Sequence, residues 1–263
     1  MISYIAVCGA SMLTAALTLY SGFGLGTLLM PVFALFFPIE MAVAATAVVH
    51  GANNIFKIAV VGRHADRALV LRFGIPAVFA AFAGAALLGY VSGFGQLASY
   101  QLGHRTAVVT PLKLVMATLM FIFALFELLP SLRHVKFDRR YLFLGGLLSG
   151  FFGGLSGHQG AMRSAFLVKV GVSTEAFVGS NAVIGFMVDM ARIATYAAIF
   201  FLPQTAGPIS LSQWPLILAG TAAAFTGVLV GKRFLRKITM KSVQTLTGIL
   251  LLGIALALGA GLV

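Results

Sequence analysis

The chain has 263 residues, of which 60% are hydrophobic and only 9% are charged. A soluble domain of this size does not bury so much apolar surface, and apolar runs of about 20 residues recur from end to end, which predicts several transmembrane helices. A transmembrane barrel would alternate apolar and polar residues, and this chain does not. The single cysteine, Cys8, excludes a disulfide framework within the chain and a cysteine-rich metal site.

The net charge of +12 would favour nucleic acid as a partner if the protein were soluble. Here most basic residues lie in short connections between apolar runs, so we interpret them as orientation signals and as contacts with anionic lipid. The first apolar run, residues 2–20, has no basic region before it. We therefore predict a retained span there and not a removed signal peptide.

The first half of the chain has the pattern of a broken hairpin followed by further spans. Pro38 and Glu40 suit the start of its long helix. The predicted segments are the first arm 2–20, the break 21–26, the second arm 27–37, the long helix 41–61, and the spans 73–91 and 110–129.

The second half repeats this order. Its predicted segments are the first arm 141–156, the break 157–160, the second arm 161–170, the long helix 176–202, and the spans 215–231 and 242–263. Gly26 aligns with Gly160 and Glu40 with Glu175, at offsets of 134 and 135 residues. Internal symmetry of this kind is typical of transporters. We predict two membrane repeats, residues 1–129 and 141–263, joined by a basic linker, residues 130–140.

The distribution of basic residues predicts how the chain is oriented. Twelve Lys or Arg residues lie in the three clusters 62–72, 130–140 and 232–241, whereas the loops 92–109 and 203–213 hold Arg105 alone. Cytoplasmic clusters put both termini outside and invert one repeat relative to the other. Each second arm reaches only ~15 Å, so both breaks should lie near mid-depth. The predicted fold is an all-α polytopic membrane protein with two inverted-topology repeats, each a broken re-entrant hairpin plus about three transmembrane helices.

Polar and ionisable side chains within spans are costly, and this makes them functional candidates. The predicted substrate-binding residues are Gly24, Gly26, Asn53, Asn54, Lys57, His158, Gln159, Gly160, Arg163, Asn181 and Arg192. The predicted coupling or gating residues are His50, His158 and Asp189. The long helices each carry a polar stripe at helical spacing, and the 135-residue offset aligns Asn54 with Asp189 and Lys57 with Arg192.

Structural interpretations compete with these functional ones. Lys57 could reach back to the cytoplasmic surface, and Asp189 with Arg192 could form a purely structural pair three residues apart. Asn53 and Asn54 could simply join helices by hydrogen bonds.

The polar residues as a set favour an anionic ligand. Each short second arm turns a helix N-terminus towards the centre of the membrane, and such ends attract anions. Arg163 adds a planar donor fork suited to oxyanions, and Arg192 adds further positive charge. Carboxylates are too few for a sodium site, so coupling to protons or no coupling fits better.

Several motifs resemble those of the sulfite exporter TauE/SafE family. They are Ser21–Pro31, a glycine-rich break that ends in an apolar run and proline, Met41–Thr46, Gly145–Gly154 and Ser180–Asn181. The resemblance covers nearly the whole chain and implies movement of sulfite, sulfoacetate or related organosulfonates across a bacterial-type cytoplasmic membrane. The chain departs from the family pattern at its second break, where His158–Gly160 and Met162–Ala165 stand. That departure favours an oxyanion site made chiefly by the second half.

We therefore expect a secondary transporter for a small sulfur-containing anion (sulfite, an organosulfonate or a similar oxyanion) that works by alternating access, either coupled to protons or uncoupled. An anion channel using the same site is the first alternative, and a membrane-embedded enzyme is the second. No nucleophile–base pair, metal-ligand spacing or nucleotide fingerprint supports the enzyme, and we predict no cofactor and no metal. The expected partners are a small-molecule anion and the lipid bilayer, not nucleic acid, and a homodimer is left open.

Overall fold

The computed structural model describes residues 1–21, 25–103, 105–133, 137–167, 170–201, 213–234 and 240–263. Across these residues the chain is mainly helical and has one small two-stranded sheet. Five of the described helices are long and apolar enough to cross a membrane. The prediction of an all-α polytopic membrane protein is confirmed.

The helices of the first half follow the predicted order. They are α1 (Ile2–Ser21), α2 (Leu25–Ala34), α3 (Ile39–Val61), α4 (Arg67–Leu69), α5 (Ile75–Ser92) and α6 (Pro111–Leu128). A 3₁₀ turn, Gly62–His64, follows α3, and a π-helical segment, Val70–Gly74, joins α4 to α5. Glu40 lies in the first turn of α3, as expected for a helix start.

The predicted linker contains the short helix α7 (Pro130–Arg133). The helices of the second half are α8 (Leu142–Ser156), α9 (Gln159–Leu167), α10 (Thr174–Tyr196), α11 (Trp214–Phe234) and α12 (Met240–Gly259). A 3₁₀ turn, Arg139–Tyr141, precedes α8, and a π-helical segment, Ala197–Phe201, extends α10. The Ser173 side chain caps α10 by accepting a hydrogen bond from the backbone N–H of Ala176.

The second hairpin is interrupted at its glycines, whereas residues 22–24 of the first predicted break lie outside the described residues. In the first, α1 ends at Ser21 and α2 begins at Leu25, so Gly24 lies outside the described residues. In the second, Gly157 adopts a left-handed conformation, with φ of 81°, and its N–H bonds to the Gly153 carbonyl at 2.9 Å. This geometry ends α8, because glycine enters that region without steric cost.

Two details differ from the sequence prediction. Arg67 and Arg72, expected in a loop, lie in the continuous helical stretch Arg67–Ser92, because Asp66 caps its first turn by accepting from the Leu69 N–H. The connection between α5 and α6, predicted without strands, forms an antiparallel hairpin of β1 (Ala98–Leu102) and β2 (Arg105–Val109).

Four helix pairs dominate the packing: α5 with α8, α1 with α11, α6 with α12, and α3 with α10. In the α5–α8 pair the backbones touch, since a Cβ added to Gly150 would lie 2.0 Å from the Ala77 carbonyl oxygen. Gly154 meets the Ala81 carbonyl in the same way, at 2.1 Å. This small-residue packing is a common way for membrane helices to associate closely.

Candidate functional site

A polar cluster lies where α3, α9 and α10 meet, and Asp189 is at its centre. The Asp189 carboxylate is fully buried. Its Oδ2 lies 2.6 Å from Nδ1 of His50 and accepts from Nδ2 of Asn54 at 2.9 Å. Its Oδ1 accepts from Nε2 of Gln159 at 3.1 Å and from Nε of Arg192 at 3.0 Å. Three helices from both halves of the chain therefore converge on one carboxylate.

Arg192 forms the predicted pair with Asp189 and also contacts the second break. Its Nη2 lies 2.8 Å from Oδ1 of Asp189 and forms an ion pair with it, but the N–H does not point at the oxygen closely enough for a hydrogen bond. Its Nη1 makes a long contact of 3.4 Å with the Gly153 carbonyl oxygen. One turn further along α10, the Tyr196 hydroxyl donates to the Gly154 carbonyl. Both side chains donate to backbone carbonyls in the last turn of α8, where a helix leaves its carbonyl groups without partners. The positive charge of Arg192 also interacts favourably with the partial negative charge of this helix C-terminus.

The hydrogen-bond partners of Arg163 among the described residues are neutral amides. Its Nε donates to Oδ1 of Asn181 at 2.6 Å, and its Nη1 donates to Oε1 of Gln159 at 3.0 Å. Only 2% of Arg163 is exposed. These amide partners orient the guanidinium without cancelling its charge. Because Gln159 also donates to Asp189, it links Arg163 to the carboxylate at the centre of the cluster.

The two breaks come together beside this cluster. A Cβ added to Gly26, in the first turn of α2, would lie 3.2 Å from the Gly157 carbonyl oxygen and 3.7 Å from the His50 ring. Gly160 is buried in the first turn of α9. The N-terminal ends of both short arms therefore lie close to the same point.

His158 lies directly in the second break. Its Nδ1 is 3.0 Å from the Ser156 hydroxyl, and its ring stacks on Phe123 with 5.1 Å between centroids. Its Nε2 is buried and has no hydrogen-bond partner in the described structure. An unpaired buried polar atom is costly, so this nitrogen is available for a bound molecule.

Asn53 and Lys57 lie on the same face of α3 as His50 by helical spacing. Both are buried, with Lys57 only 7% exposed, so its side chain is not at the protein surface. Asn53 makes no hydrogen bond through either side-chain atom within the described residues, so it does not join helices there.

Sequence reasoning missed Tyr196, Ser156 and Phe123. Tyr196 could have been found, because it follows Arg192 by four residues and so shares its helix face. Ser156 stands two residues before His158, but a hydroxyl in an apolar helix is a weak signal. Phe123 on α6 carried no signal at all, since one aromatic residue in a span is not distinguishable from its neighbours.

The cluster contains one buried cation, Arg163, whose described hydrogen-bond partners are all neutral. Within it the cations are Arg163, Arg192 and Lys57, and the one carboxylate among the described groups is Asp189. The N-terminal ends of α2 and α9 add partial positive charge. Such a site, enclosed in apolar surroundings, is chemically suited to bind an anion and not a metal cation.

A polytopic helical protein with a buried cationic site at two helix breaks has the architecture of a membrane transporter. The sulfite exporter TauE/SafE family model matches residues 7–258, nearly the whole chain. The protein therefore belongs to the TauE/SafE family of transporters, and the resemblance read from the motifs is confirmed. A search of curated proteins found no match to this chain.

Proposed function

We propose that the protein is a secondary transporter that moves sulfite or an organosulfonate across the cytoplasmic membrane by alternating access, linked to protons. The observation that carries this proposal is the buried guanidinium of Arg163, whose hydrogen-bond partners among the described residues are neutral amides, beside the Asp189–Arg192 pair. Buried cations in a membrane are stabilised by a counter-ion, and a transported anion would supply it. In this proposal the anion lies nearest His158, Gln159 and Arg163.

Alternating access requires two halves that can exchange roles, and the packing supports this. If α1, α3, α5 and α6 correspond to α8, α10, α11 and α12, the α5–α8 pair corresponds to the α11–α1 pair. The α3–α10 and α6–α12 pairs each correspond to themselves. Such reciprocal contacts are expected when two repeats are related by a pseudo-two-fold axis, as in transporters that work by rocking.

Individual contacts in the α3–α10 pair follow the same relation. Asn54 contacts Asp189, its own counterpart at the 135-residue offset. The counterpart of His50 is Gly185, and a Cβ added there would lie 2.7 Å from the Asn54 amide nitrogen, just as His50 contacts Asp189. A residue that meets its own counterpart lies beside the axis, so this supports a binding site on the axis of exchange.

We further propose that the basic clusters face the cytoplasm and that both termini lie outside. Cys8 is the single cysteine, so replacing it by serine gives a background for labelling. Cysteines introduced at the exposed positions Asp138 and Gln101 lie in the linker and in the β-hairpin, on opposite sides in this orientation. Membrane-impermeant maleimide applied to intact cells should label position 101 and not position 138, and the reverse pattern would overturn the orientation.

The direct test of transport uses purified protein in liposomes and labelled sulfite and sulfoacetate. A transporter that works by alternating access should show counterflow, in which unlabelled anion inside accelerates entry of labelled anion. Saturable flux without counterflow would indicate the anion channel. Flux of neither anion above that of protein-free liposomes would show the proposed substrate class to be wrong.

A further inference from the structure

The contact between His50 and Asp189 joins the two halves of the chain at a single ionisable pair. His50 lies in α3 and Asp189 in α10, and the two atoms are 2.6 Å apart. Their counterparts at the 135-residue offset, Gly185 and Asn54, cannot ionise. The pair is therefore a place where a proton changes the electrostatics between the halves, and it occurs once per chain in the described structure.

His50 and His158 differ in what surrounds them. His50 lies against a carboxylate, which stabilises an imidazolium, whereas His158 contacts the Ser156 hydroxyl and the Phe123 ring. The His50 side chain is 9% exposed, while those of Asp189 and Arg192 have no exposed surface. Of the two buried histidines among the described residues, His50 has the better counter-ion, and its side chain is more exposed than that of its partner Asp189.

The charges that face His50 come from three helices. Asp189 and Arg192 approach from α10, Arg163 acts from α9, and Lys57 lies two turns along α3 itself. The α2 helix, which touches the His50 ring through Gly26, contributes no ionisable side chain. Asp189 is the one carboxylate among these charged groups. Because electrostatic interactions in a buried site are poorly screened, a positive charge on His50 changes the electrostatic potential of the site strongly.

Gln159 connects the His50–Asp189 pair to Arg163, the cation that we propose to bind the anion. It donates to Asp189 through Nε2 and accepts from Arg163 through Oε1. A proton bound at His50 makes an imidazolium whose positive charge offsets that of the Asp189 carboxylate, and this weakens the hold of Asp189 on Gln159 and Arg192. Both donors and the positive potential around Arg163 then become available to an incoming anion. Proton and anion therefore favour the binding of each other, which is reciprocal by thermodynamic linkage.

We infer that His50 is the proton-binding site of the transporter, and that one proton bound there crosses the membrane together with each anion. This inference rests on the proposed function, since it needs an anion that is transported. The proton enters on the imidazole of His50 from the side to which the site is open, and it leaves to water on the other side when the anion dissociates. Asp189 stays ionised throughout and holds the imidazolium.

The experiment measures accumulation of a labelled monovalent organosulfonate, methanesulfonate, in liposomes under a pH gradient, with the membrane potential clamped at zero by valinomycin and equal potassium. With the acid side outside, the wild type should accumulate a monovalent anion about tenfold per pH unit, since one unit of gradient is worth a factor of ten per proton. With the acid side inside, accumulation should be absent. Methanesulfonate is used because a sulfonate stays ionised over this pH range, whereas sulfite titrates and its neutral form would follow the pH gradient without the protein. Protein-free liposomes give the background.

The decisive variant is His50→Gln, which should lower the ratio of pH-driven accumulation to counterflow to the value expected without a coupled proton, even if counterflow itself declines. His64→Gln is the matched control, because His64 is exposed in the turn after α3 and should leave both properties as in the wild type. His158→Gln should retain the ratio of accumulation to counterflow even if both decline. His50→Asn is a second variant, in case glutamine does not fit, and thermal shift with sulfite checks the folding of each.

The possible results separate the inference from the function on which it rests. Absence of counterflow in the wild type would contradict the proposed transport itself. Counterflow without pH-driven accumulation would show that proton cotransport is wrong. Accumulation of the anion inside only when the inside is the acid side would show the same. Retention of accumulation by a folded His50→Gln or His50→Asn protein would assign the proton site to another residue. The wild-type measurement decides cotransport without depending on any variant.

Discussion

Two helix pairs hold the protein together in different ways. In α5–α8 the backbones touch through Gly150 and Gly154, and no charged group lies between them. In α3–α10 the contact is made by His50, Asn54 and Asp189, all of which are buried. Lipid tails are as apolar as leucine side chains, so the hydrophobic effect does not drive the association of either helix pair within the membrane. The first pair gains from close packing alone, while the second depends on a balance of charges that a ligand or a proton can change.

The largest expected effect lies in the α5–α8 pair. Gly150→Leu would put a side chain against the Ala77 carbonyl oxygen, which is 2.0 Å from the position of an added Cβ, and backbone cannot move aside as a flexible side chain can. We expect a loss of stability on the order of 5 kcal/mol and little folded protein. Fluorescence-detected size-exclusion chromatography measures it. Gly253→Leu, at a glycine with nothing within 4 Å, is the matched control and should behave as the wild type.

The next effect is predicted for the charge balance of the α3–α10 pair. Asp189→Asn keeps the shape of the side chain but leaves the buried Arg192 without its counter-ion. We expect destabilisation of about 3–5 kcal/mol, measured by thermal unfolding in detergent. The double variant Asp189→Asn with Arg192→Gln should recover part of this loss, since it removes both charges.

Thermal unfolding of Asp189→Asn in the presence of sulfite adds a second test, because an anion bound beside Arg192 should replace part of the negative charge that the substitution removes. Sulfite should therefore stabilise Asp189→Asn more than the wild type. Glu175→Gln, an exposed carboxylate in the first turn of α10, serves as the control and should change little. A wild-type melting curve for Asp189→Asn would mean that this carboxylate is not the counter-ion of the cluster.

A smaller effect is expected at the anion site itself. Arg163→Lys retains the charge but cannot reproduce the two directed hydrogen bonds, to Asn181 and Gln159, that fix the guanidinium. We predict a fall in transport of about 10- to 100-fold, mainly as a higher KM, from initial rates of labelled sulfite entry. Arg72→Lys, at an exposed position, should leave the rate unchanged. An unaltered KM in Arg163→Lys would remove Arg163 from the site.

The smallest effect tests whether α10 holds the second break in place. Tyr196→Phe removes the hydroxyl that donates to the Gly154 carbonyl and leaves that carbonyl with one bond fewer. We expect a loss of about 1 kcal/mol in thermal unfolding. Tyr90→Phe, at a tyrosine that is 69% exposed, should cost nothing measurable. Equal melting temperatures for the two variants would show that the Tyr196 bond does not contribute.

Much of the site could be predicted because polar groups are rare in a transmembrane chain. His50, Asp189 and Arg192 stood out from the sequence for this reason, and their spacing put them on two helix faces. Their partners could not be predicted. That Arg192 contacts the Gly153 carbonyl, and that Arg163 contacts amides and no carboxylate, depends on the rotation of α9 and α10, which no local pattern determines.

The sequence by itself determined the number and order of apolar segments, the two glycine-rich breaks and the family. These follow from local properties: the transfer of apolar side chains into lipid and the conformational freedom of glycine. Only the tertiary structure decided that both breaks meet beside one carboxylate, and that His50 and not His158 lies against it. The reason is physical, since contacts between distant helices are selected by packing over the whole interface and by the charge that each buried group must balance.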